Sequence, residues 1–538
     1  MPPATKSVRK RKKSSAKSKA APATQPKMAA HVSVLIAAVA GALLGLSAPG
    51  IDCWYIAWFG LVPLLLLTVS ATDFKDAFLR GAMFGLAYNL VYGNWYMHLH
   101  PLTWMGFNDI QSYAVAAAAW LVVSAHQALL VGIISAIVRL LPLCGGFVPR
   151  EVEGRWCLPA LLVIPPLWVV LQNKVYNAHD WLGVPWTMLE YSQYKILPVI
   201  QVASWIGGIG IGALIVLFNT SLAILIASMS RRLSFKSLAD STPINAITQF
   251  LTVALILAGT VAWGYSRLTA PPQGALQTVS VIQGNINIEM EKHSRTISLT
   301  QLVDRYSALI DRSPAGLCVW TESALPAYLT DEQDAVGAIR RLAVGGKRDM
   351  IIGSLDKDFD GRPFNSAFGL GQDGKISTSI YHKRYLVPFG EYMPNFVRAM
   401  PEWMQRLTST PAGVGFSSGK FPVVLNFQNH NVAPLICFET LSPELCVTSV
   451  RNGGELLVNL SDLAWFHRSI CGDQMIAFST IRAIETGRYF VFAANTGPSA
   501  VIDPHGRIIV RSPQDVETVL TNRIRFKNDL TPFVQWFN

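Results

Sequence analysis

Three side chains of this 538-residue chain are placed where they could carry nucleophilic chemistry. Cys437 ends the apolar run of NVAPLICFET, Glu322 follows the run in VWTESALP, and Lys383 lies in YHKRYLVPFGEYMP. Each follows a predicted β-strand, so its side chain should project from a strand end. A carboxylate can accept a thiol proton, and an ammonium can stabilise the thiolate and the oxyanion beside it. If their strands are neighbours in one sheet, the three groups would converge.

Each of the three residues also has an ordinary structural interpretation. A cysteine in an apolar run is most often a small, inert core residue. Glu322 could cap the turn that ends at Pro326, and Lys383 could be a solvated surface charge. The spacing of the three residues along the chain does not decide between these interpretations and a site.

The composition of the chain indicates that part of it lies in a membrane. It is 51% apolar and only 15% charged, which is unusual for a soluble protein. Between residues 31 and 265 we predict an α-helical transmembrane bundle of about seven spans, most of them near the roughly 20 residues that a bilayer requires. The spans begin at Val32, Trp54, Ala77, Tyr113, Cys157, Ile200 and Ala246.

The net charge of +11 is concentrated at the start of the chain, where residues 1–27 contain nine Lys and Arg and no acid. We therefore predict a disordered, cytoplasmic basic tail over residues 1–30 and no nucleic-acid partner, since a folded binding module would spread its positive charge over one face. Over residues 1–265, Lys and Arg lie mainly in the tail and in every second loop between the predicted spans. Seven crossings from a cytoplasmic start place everything after Tyr265 outside.

Residues 271–538 have a different pattern of apolar and polar residues from the first half of the chain. Short β-rich runs such as DMIIGSL and ELLVNLSD alternate with polar helical stretches such as CGDQMIAFSTIRAIETGR. This pattern predicts one mixed α/β domain. Its cysteines form neither a CxxC pair for zinc nor a dense disulfide framework, and we expect no metal or other cofactor.

Several motifs resemble those of a known family. The strings WTESALP, LVPFGEYMP, ICFE and NLSDLAWF, behind a multi-span region, are similar to the apolipoprotein N-acyltransferase family of the nitrilase, or carbon-nitrogen hydrolase, superfamily. The resemblance implies an α/β domain with the nitrilase-like αββα sandwich. It also implies a bacterial inner-membrane, multi-pass protein with its catalytic domain on the periplasmic side. Nothing in the sequence suggests an obligate oligomer, so we expect a monomer.

The same resemblance implies roles for particular residues. Glu322 would be the general base, Lys383 the oxyanion-stabilising cation and Cys437 the nucleophile of a Glu-Lys-Cys triad. Glu391 and Glu439 match supporting acids. Trp465 and Phe466 match an aromatic, substrate-binding pair on a loop beside the site. The implied ping-pong reaction moves an acyl chain from a phospholipid, through a cysteine thioester, to the α-amine of a diacylglyceryl-cysteine at the N-terminus of an apolipoprotein.

The chain departs from the family pattern at several positions. Asp462 stands where the family has asparagine, and Gln172 lies where an acid is expected. The family continues into a last transmembrane helix after the final residues of this chain, so we expect the external domain to be tethered at one end only. Apolar residues 102–107 and Trp403 could line a lipid entrance or belong to an interfacial belt.

Two other functions remain open on the sequence alone. The same triad would serve a membrane-anchored, nitrilase-type amidase acting on an exported amide. A non-catalytic membrane protein, such as a transporter with an external binding domain, would not need the Cys437 thiol.

Overall fold

A computed structural model of the chain describes residues 30–102, 107–152, 154–176, 184–230, 241–271, 273–286, 298–314, 316–388, 390–392 and 415–537. The basic tail up to residue 29, Trp403 and most of the segment 102–107 lie outside these residues. Helices follow one another in the first half of the described chain: α1 (Ala30–Gly45), α2 (Val62–Ser70), α3 (Phe74–Tyr92), α4 (Asp109–Leu140), α5 (Ala160–Tyr176), α6 (Leu197–Ile200), α7 (Ala203–Met229) and α8 (Pro243–Leu268). A small sheet separates α4 from α5 and is formed by β1 (Leu143–Cys144), β2 (Arg150–Val152) and β3 (Arg155–Pro159).

Each predicted span overlaps a helix, but the helices differ in length and polarity. Among the described residues, α4, α7 and α8 are long and apolar enough to cross a bilayer. The apolar helices Ala30–Gly45, Trp54–Ser70 and Ala160–Val175 are shorter. The 19-residue α3 begins with charged side chains in its first two turns. The helical, membrane-associated character of this half is therefore confirmed, and the count of seven spans stays a prediction.

Small residues allow α1 and α4 to pack closely on α3. A Cβ atom added at Gly41 of α1 would lie 2.0 Å from the carbonyl oxygen of Phe84 in α3, so no side chain fits there. Close backbone approach through small residues is the usual way in which helices associate within lipid, where burial of apolar surface gives little driving force.

The second half of the described chain folds into two β-sheets. The first sheet has the order β16-β4-β5-β7-β8-β9, with β6 paired to β7. The second has the order β10-β11-β12-β13-β14-β15, with a parallel centre formed by β11, β12 and β13. The strands are β4 (Ala275–Gln283), β5 (Gly316–Val319), β6 (Leu325–Tyr328), β7 (Arg348–Lys357), β8 (Pro363–Leu370), β9 (Tyr381–His382), β10 (Leu425–Asn426), β11 (Asn431–Ile436), β12 (Leu456–Ser461), β13 (Phe490–Ala494), β14 (Ala500–Ile502), β15 (Ile508–Arg511) and β16 (Thr518–Phe526).

The two sheets form the inner layers of a four-layer sandwich. Their facing sides share one apolar core, with Val281 and Ile351 from the first sheet and Val432 and Val458 from the second. The outer face of the first sheet is covered by α9 (Leu299–Ile310) and α10 (Gln333–Gly346), and that of the second by α11 (Pro443–Arg451) and α12 (Cys471–Thr486). The predicted αββα arrangement is therefore present. Helices cover both outer faces, so the strands are buried on both sides and read as continuous apolar runs.

The second half also packs directly on the membrane-associated helices. Both α12 and α13 (Pro532–Trp536) contact α7, and Ile215 of α7 shares one hydrophobic core with Ile481 of α12 and Phe533 of α13. Buried contacts therefore hold the domain against these helices in addition to its covalent link through α8, and the expected tether at one end stays a prediction.

Candidate active site

The three candidate catalytic residues follow strand ends, as predicted, but the strands belong to different sheets. Lys383 directly follows β9, and Glu322 lies in the turn after β5, both in the first sheet. Cys437 directly follows β11 in the second sheet. The prediction assumed that all three strands are neighbours in one sheet. This assumption is wrong, because Lys383 and Glu322 follow strands of the first sheet and Cys437 follows a strand of the second.

Two of the turns at the site are strained. Cys437 has a φ of 50°, and Ser323, which follows Glu322, has a φ of 47°. Non-glycine residues in this left-handed region cost about 1–3 kcal/mol each and concentrate at functional sites, where the surrounding structure holds them in place. The strained turn at Cys437 marks the point where β11 stops and a 3₁₀ helix (Cys437–Leu441) begins.

Lys383 is buried between two carboxylates. Its side chain is 1% exposed, and Nζ lies 3.1 Å from Oε1 of Glu322 and 2.8 Å from Oε1 of Glu391. Burial alone would lower the pKa of Lys383, but the carboxylates of Glu322 and Glu391 outweigh it and hold this pKa well above its usual value. The site therefore contains a fixed ammonium that is stable as a cation despite its burial.

Glu322 is held by two hydrogen bonds in addition to its contact with the lysine. The Nδ2 group of Asn365, on β8, donates to Oε1 at 2.8 Å, and the backbone N–H of Asp462 donates to Oε2 at 2.9 Å. Burial is the main cause that raises the pKa of Glu322, and the charges of Glu391 and Asp462 add to it against the opposing effect of Lys383. A carboxylate of raised pKa is a better match for a thiol proton than an ordinary glutamate.

Cys437 lies within the electrostatic reach of these charged groups. Burial raises the pKa of its thiol well above the usual value, Glu322 and Glu391 raise it further, and Lys383 lowers it. The protonated thiol is therefore the resting form, and a neighbouring base has to remove the proton before sulfur can attack. The turn that carries the thiol is fixed by Asn459, whose Nδ2 group donates to the Cys437 carbonyl oxygen at 3.0 Å.

Glu439 supports the backbone around the site rather than the lysine. Its Oε1 accepts from the N–H groups of Arg384 at 2.6 Å and Tyr385 at 3.1 Å. Its Oε2 accepts from the N–H of Ile436 and the hydroxyl of Tyr381, each at 2.7 Å. The fully buried carboxylate thus joins the segment after Lys383 to the residue before Cys437, and burial raises its pKa.

Replacing Glu439 with glutamine is expected to destabilise the protein by about 2–4 kcal/mol, because the new NH₂ group would face two donors and leave them unpaired. The measurement is the thermal unfolding midpoint in detergent. Glu444→Gln is a suitable control, since Glu444 receives a bond from Tyr385 at 3.2 Å in an exposed position. Equal midpoints for the two variants would contradict the bracing role of Glu439.

The predicted aromatic pair lies beside residues from the membrane-associated half. Phe466 contacts Trp95 edge-on with ring centroids 5.0 Å apart, and Trp95 lies 4.7 Å from Trp186. Trp186 in turn stacks near Phe438, the neighbour of Cys437, at 6.4 Å. Trp465 lies in the same short 3₁₀ helix as Phe466. An aromatic wall built from both halves therefore borders the turn that carries the thiol.

Sequence reasoning missed Asn365 as a polar residue of the site. Asn365 bonds to both Glu322 and Glu391, and its own Oδ1 is a buried acceptor without a hydrogen-bond partner among the described residues. Asn495 donates to Asp462 at 3.2 Å and thereby fixes the loop before the aromatic pair. The run FNSAFGL around Asn365 has the pattern of an ordinary buried strand, and the adjacent polar residues Asn365 and Ser366 are the only signal within it.

Comparison with known proteins places this chain in a family. The Carbon-nitrogen hydrolase profile matches residues 278–528, and the profile of the Apolipoprotein N-acyltransferase N-terminal domain matches residues 40–221. An apolipoprotein N-acyltransferase of Geobacter metallireducens is 33% identical over 502 residues, covering 91% of this chain and 89% of the relative. The chain belongs to the apolipoprotein N-acyltransferase family.

Other members of the apolipoprotein N-acyltransferase family align over a similar length. The relative from Gloeobacter violaceus is 29% identical over 507 residues, which is 94% of this chain and 90% of the relative. The relative from Ralstonia nicotianae is 29% identical over 495 residues, which is 90% of this chain and 86% of the relative. Among solved structures, Nit3 of Saccharomyces cerevisiae, a member of the nitrilase superfamily, aligns with 48% of this chain and 93% of its own at 16% identity and a TM-score of 0.36. The predicted family resemblance is therefore confirmed by relatives that span both halves.

Proposed function

We propose that this protein transfers an acyl chain from a phospholipid, through a thioester on Cys437, to the α-amine of the diacylglyceryl-cysteine at the N-terminus of apolipoproteins. Membership of the family supports acyl transfer to lipoproteins. The observation that carries the mechanism is the buried Lys383 ammonium, which lies within 3.1 Å of Glu322 and 2.8 Å of Glu391 and acts electrostatically on the Cys437 thiol.

In the first half-reaction Glu322 takes the proton from the Cys437 thiol, and the sulfur attacks the ester carbonyl carbon of the phospholipid. The carbonyl oxygen becomes an oxyanion beside Lys383, whose fixed charge stabilises it without reorganisation. The ester C–O bond then breaks, and Glu322 returns the proton to the departing oxygen of the lysophospholipid. The acyl chain remains on sulfur as a thioester.

In the second half-reaction the α-amine of the acceptor attacks the thioester carbonyl. A C–N bond forms, the C–S bond breaks, and the proton lost by the nitrogen reaches sulfur through Glu322. A thioester is reactive enough for this step, and the aromatic wall of Phe466, Trp95 and Trp186 would keep water from it. Trp465 and Phe466 are the proposed contacts for the lipid chains.

The arrangement of the two halves suits substrates that are anchored in lipid. Moving an acyl chain fully into water would cost about 0.8 kcal/mol for each CH₂ group, so the thiol has to lie at the bilayer surface. We propose residues 31–265 as a seven-span domain of a bacterial inner membrane and residues 271–538 as the periplasmic catalytic domain. The basic tail of residues 1–30 would be cytoplasmic, the protein a monomer, and nucleic acid not a partner.

The test of this function is incubation of the full-length protein with acyl-labelled phospholipid. We expect a labelled protein adduct that hydroxylamine releases and that disappears when a diacylglyceryl-cysteine peptide is added, with label appearing on the peptide amine. An unlabelled protein that hydrolyses small amides would instead indicate the amidase alternative. An unlabelled protein with no hydrolysis would exclude catalysis by Cys437.

Replacing Glu322 with glutamine is expected to slow thioester formation by about 10²-fold, the lower end of the effect of a general base. In the unsubstituted protein the rate should fall as pH drops through the pKa of Glu322, because only the carboxylate accepts a proton. Since burial raises that pKa, this fall should occur above the pH of about 4.3 that is typical of glutamate. The measurement is the rate of adduct formation as a function of pH. If the rate of Glu322→Gln also falls at low pH, with the same midpoint, Glu322 is not the general base.

A further inference from the structure

The catalytic half bonds to the ends of three membrane-associated helices. Gln474 of α12 donates to the carbonyl oxygen of Tyr92, the last residue of α3, at 3.0 Å. Arg507 donates to the carbonyl oxygen of Leu268, the last residue of α8, at 2.6 Å. The third contact is also buried and involves a break within α7.

The break in α7 lies at Gly207. This residue has φ 69° and ψ 176°, a conformation that is essentially restricted to glycine. A Cβ atom at this position would also lie 2.5 Å from the ring of Phe533 in α13. The helix therefore begins again at Gly208, whose backbone N–H has no acceptor within its own helix. A buried N–H without an acceptor is costly, so it requires a partner from elsewhere.

Glu485 of α12 supplies that partner. Its Oε1 accepts from the Gly208 N–H at 2.7 Å, and the residue is only 1% exposed. Its Oε2 lies 3.2 Å from Nε of Arg482, which is equally buried. A negative group at a helix N-terminus is stabilised by the helix dipole, and the arginine balances its charge. The carboxylate is therefore held in one place, at the restart of a helix that is long and apolar enough to cross the membrane.

The same helix connects this contact to the thiol. Ser479 of α12 places its hydroxyl 3.2 Å from the hydroxyl of Thr440, in the 3₁₀ turn that Cys437 begins. Glu485 also accepts, through its carbonyl oxygen, a hydrogen bond from the hydroxyl of Thr531 at the start of α13. A displacement of α12 relative to α7 would therefore move the turn that carries Cys437 relative to the membrane-associated helices.

We infer that Glu485 is a positioning residue for acyl transfer, which caps the restarted α7 helix and thereby fixes the height of the Cys437 turn above the bilayer. The inference rests on the proposed function, because it concerns substrates that reach the thiol from lipid. Both reacting ester and thiol have to meet within about 3.5 Å, and a misplacement of 1 Å can cost about 10²-fold in rate.

Two substitutions separate the cap from the ion pair. Glu485→Asp keeps the negative charge beside Arg482 but retracts the oxygen from Gly208 by one methylene. Glu485→Gln keeps a side-chain oxygen that can accept from the Gly208 N–H, on a side chain of the same length, but removes the negative charge. If Glu485 acts as a cap, the aspartate variant should be the more impaired. If it acts only as a structural counter-ion, the glutamine variant should be the more impaired, and the inference is overturned.

The first measurement is hydrogen exchange at the Gly208 amide in the full-length protein, which does not depend on any activity. We expect exchange about tenfold faster or more in Glu485→Asp, as the bond is lost, and near the unsubstituted rate in Glu485→Gln. The matched control is Glu517→Asp, since Glu517 forms a half-exposed pair with Arg305 at 2.7 Å elsewhere in the catalytic half. Unchanged exchange in Glu485→Asp would overturn the inference.

The second measurement compares two reactions of Cys437. In phospholipid vesicles, thioester formation by Glu485→Asp should fall about tenfold or more, while alkylation of Cys437 by the small soluble reagent iodoacetamide should stay within about twofold. An equal fall in both reactions would indicate damage to the site itself and overturn the positioning role. If the unsubstituted protein forms no thioester, the proposed function fails, and the exchange result still decides whether Glu485 caps α7.

Discussion

Cys437→Ala is expected to abolish thioester formation and acyl transfer, with a loss of about 10⁴-fold or more. Removal of an attacking nucleophile usually costs this much, because the remaining binding and electrostatic groups have no atom to which the acyl chain can be transferred. The fold should survive, since removal of a single sulfur atom leaves only a small space. The measurement is the yield of labelled adduct from acyl-labelled phospholipid, together with transfer to a diacylglyceryl-cysteine peptide.

The chain offers two matched controls for this variant. Cys471 and Cys446 are buried thiols of the same domain, and both have a pKa that burial raises above the usual value. The charges of Glu322 and Lys383 act on the pKa of Cys437, whereas other charged groups act on those of Cys471 and Cys446, so Cys471→Ala and Cys446→Ala should retain the adduct. An adduct that persists in Cys437→Ala, or that disappears in a control variant of unchanged stability, would show that a residue other than Cys437 is the nucleophile.

Lys383→Met is expected to reduce both activity and stability. Loss of a fixed positive charge beside a developing oxyanion typically costs about 10²–10³-fold in rate. The same substitution leaves Glu322 and Glu391 buried without their shared cation, and breaking a buried ion pair costs about 3–5 kcal/mol. The two measurements are the rate of adduct formation and the thermal unfolding midpoint in detergent.

Two comparisons make this result specific. Lys375→Met removes an ammonium that is 84% exposed and 3.6 Å from Asp373, and should change neither quantity. The double variant Lys383→Met with Glu391→Gln removes a carboxylate along with the cation. Compared with Lys383→Met alone, it should have a higher unfolding midpoint but the same reduced rate of adduct formation. A Lys383→Met protein that transfers acyl chains at the unsubstituted rate would exclude the oxyanion role.

Local sequence patterns predicted the strands well but not their pairing. The runs that became β7, β11, β12 and β13 are apolar and bounded by turn residues, because strands covered on both faces carry few polar side chains. Which of these strands share a sheet depends on contacts between distant parts of the chain. That is why Glu322 and Cys437 were expected along one sheet and are found across two.

The segment STSIYHKRYLV shows how tertiary contacts override a local pattern. Its β-rich composition predicts a strand, yet β9 comprises only Tyr381 and His382. The backbone beyond Lys383 leaves the sheet because the N–H groups of Arg384 and Tyr385 bond to Glu439 instead of to a neighbouring strand. Similarly, the role of Asn365 depends on Glu322 and Glu391 on either side of it, and neither is near it in the local pattern.

The position of β16 at one edge of the first sheet bears on how the protein is made. This strand, residues 518–526, pairs along its whole length with β4, which is the first strand of the catalytic half. A ribosome has therefore to release residues 275–526 before the sheet that carries Glu322 and Lys383 can close. Nascent chains and chains terminated before residue 518 would expose the unpaired edge of β4, which is a target for chaperones and proteases, and would lack a finished catalytic centre until β16 is available.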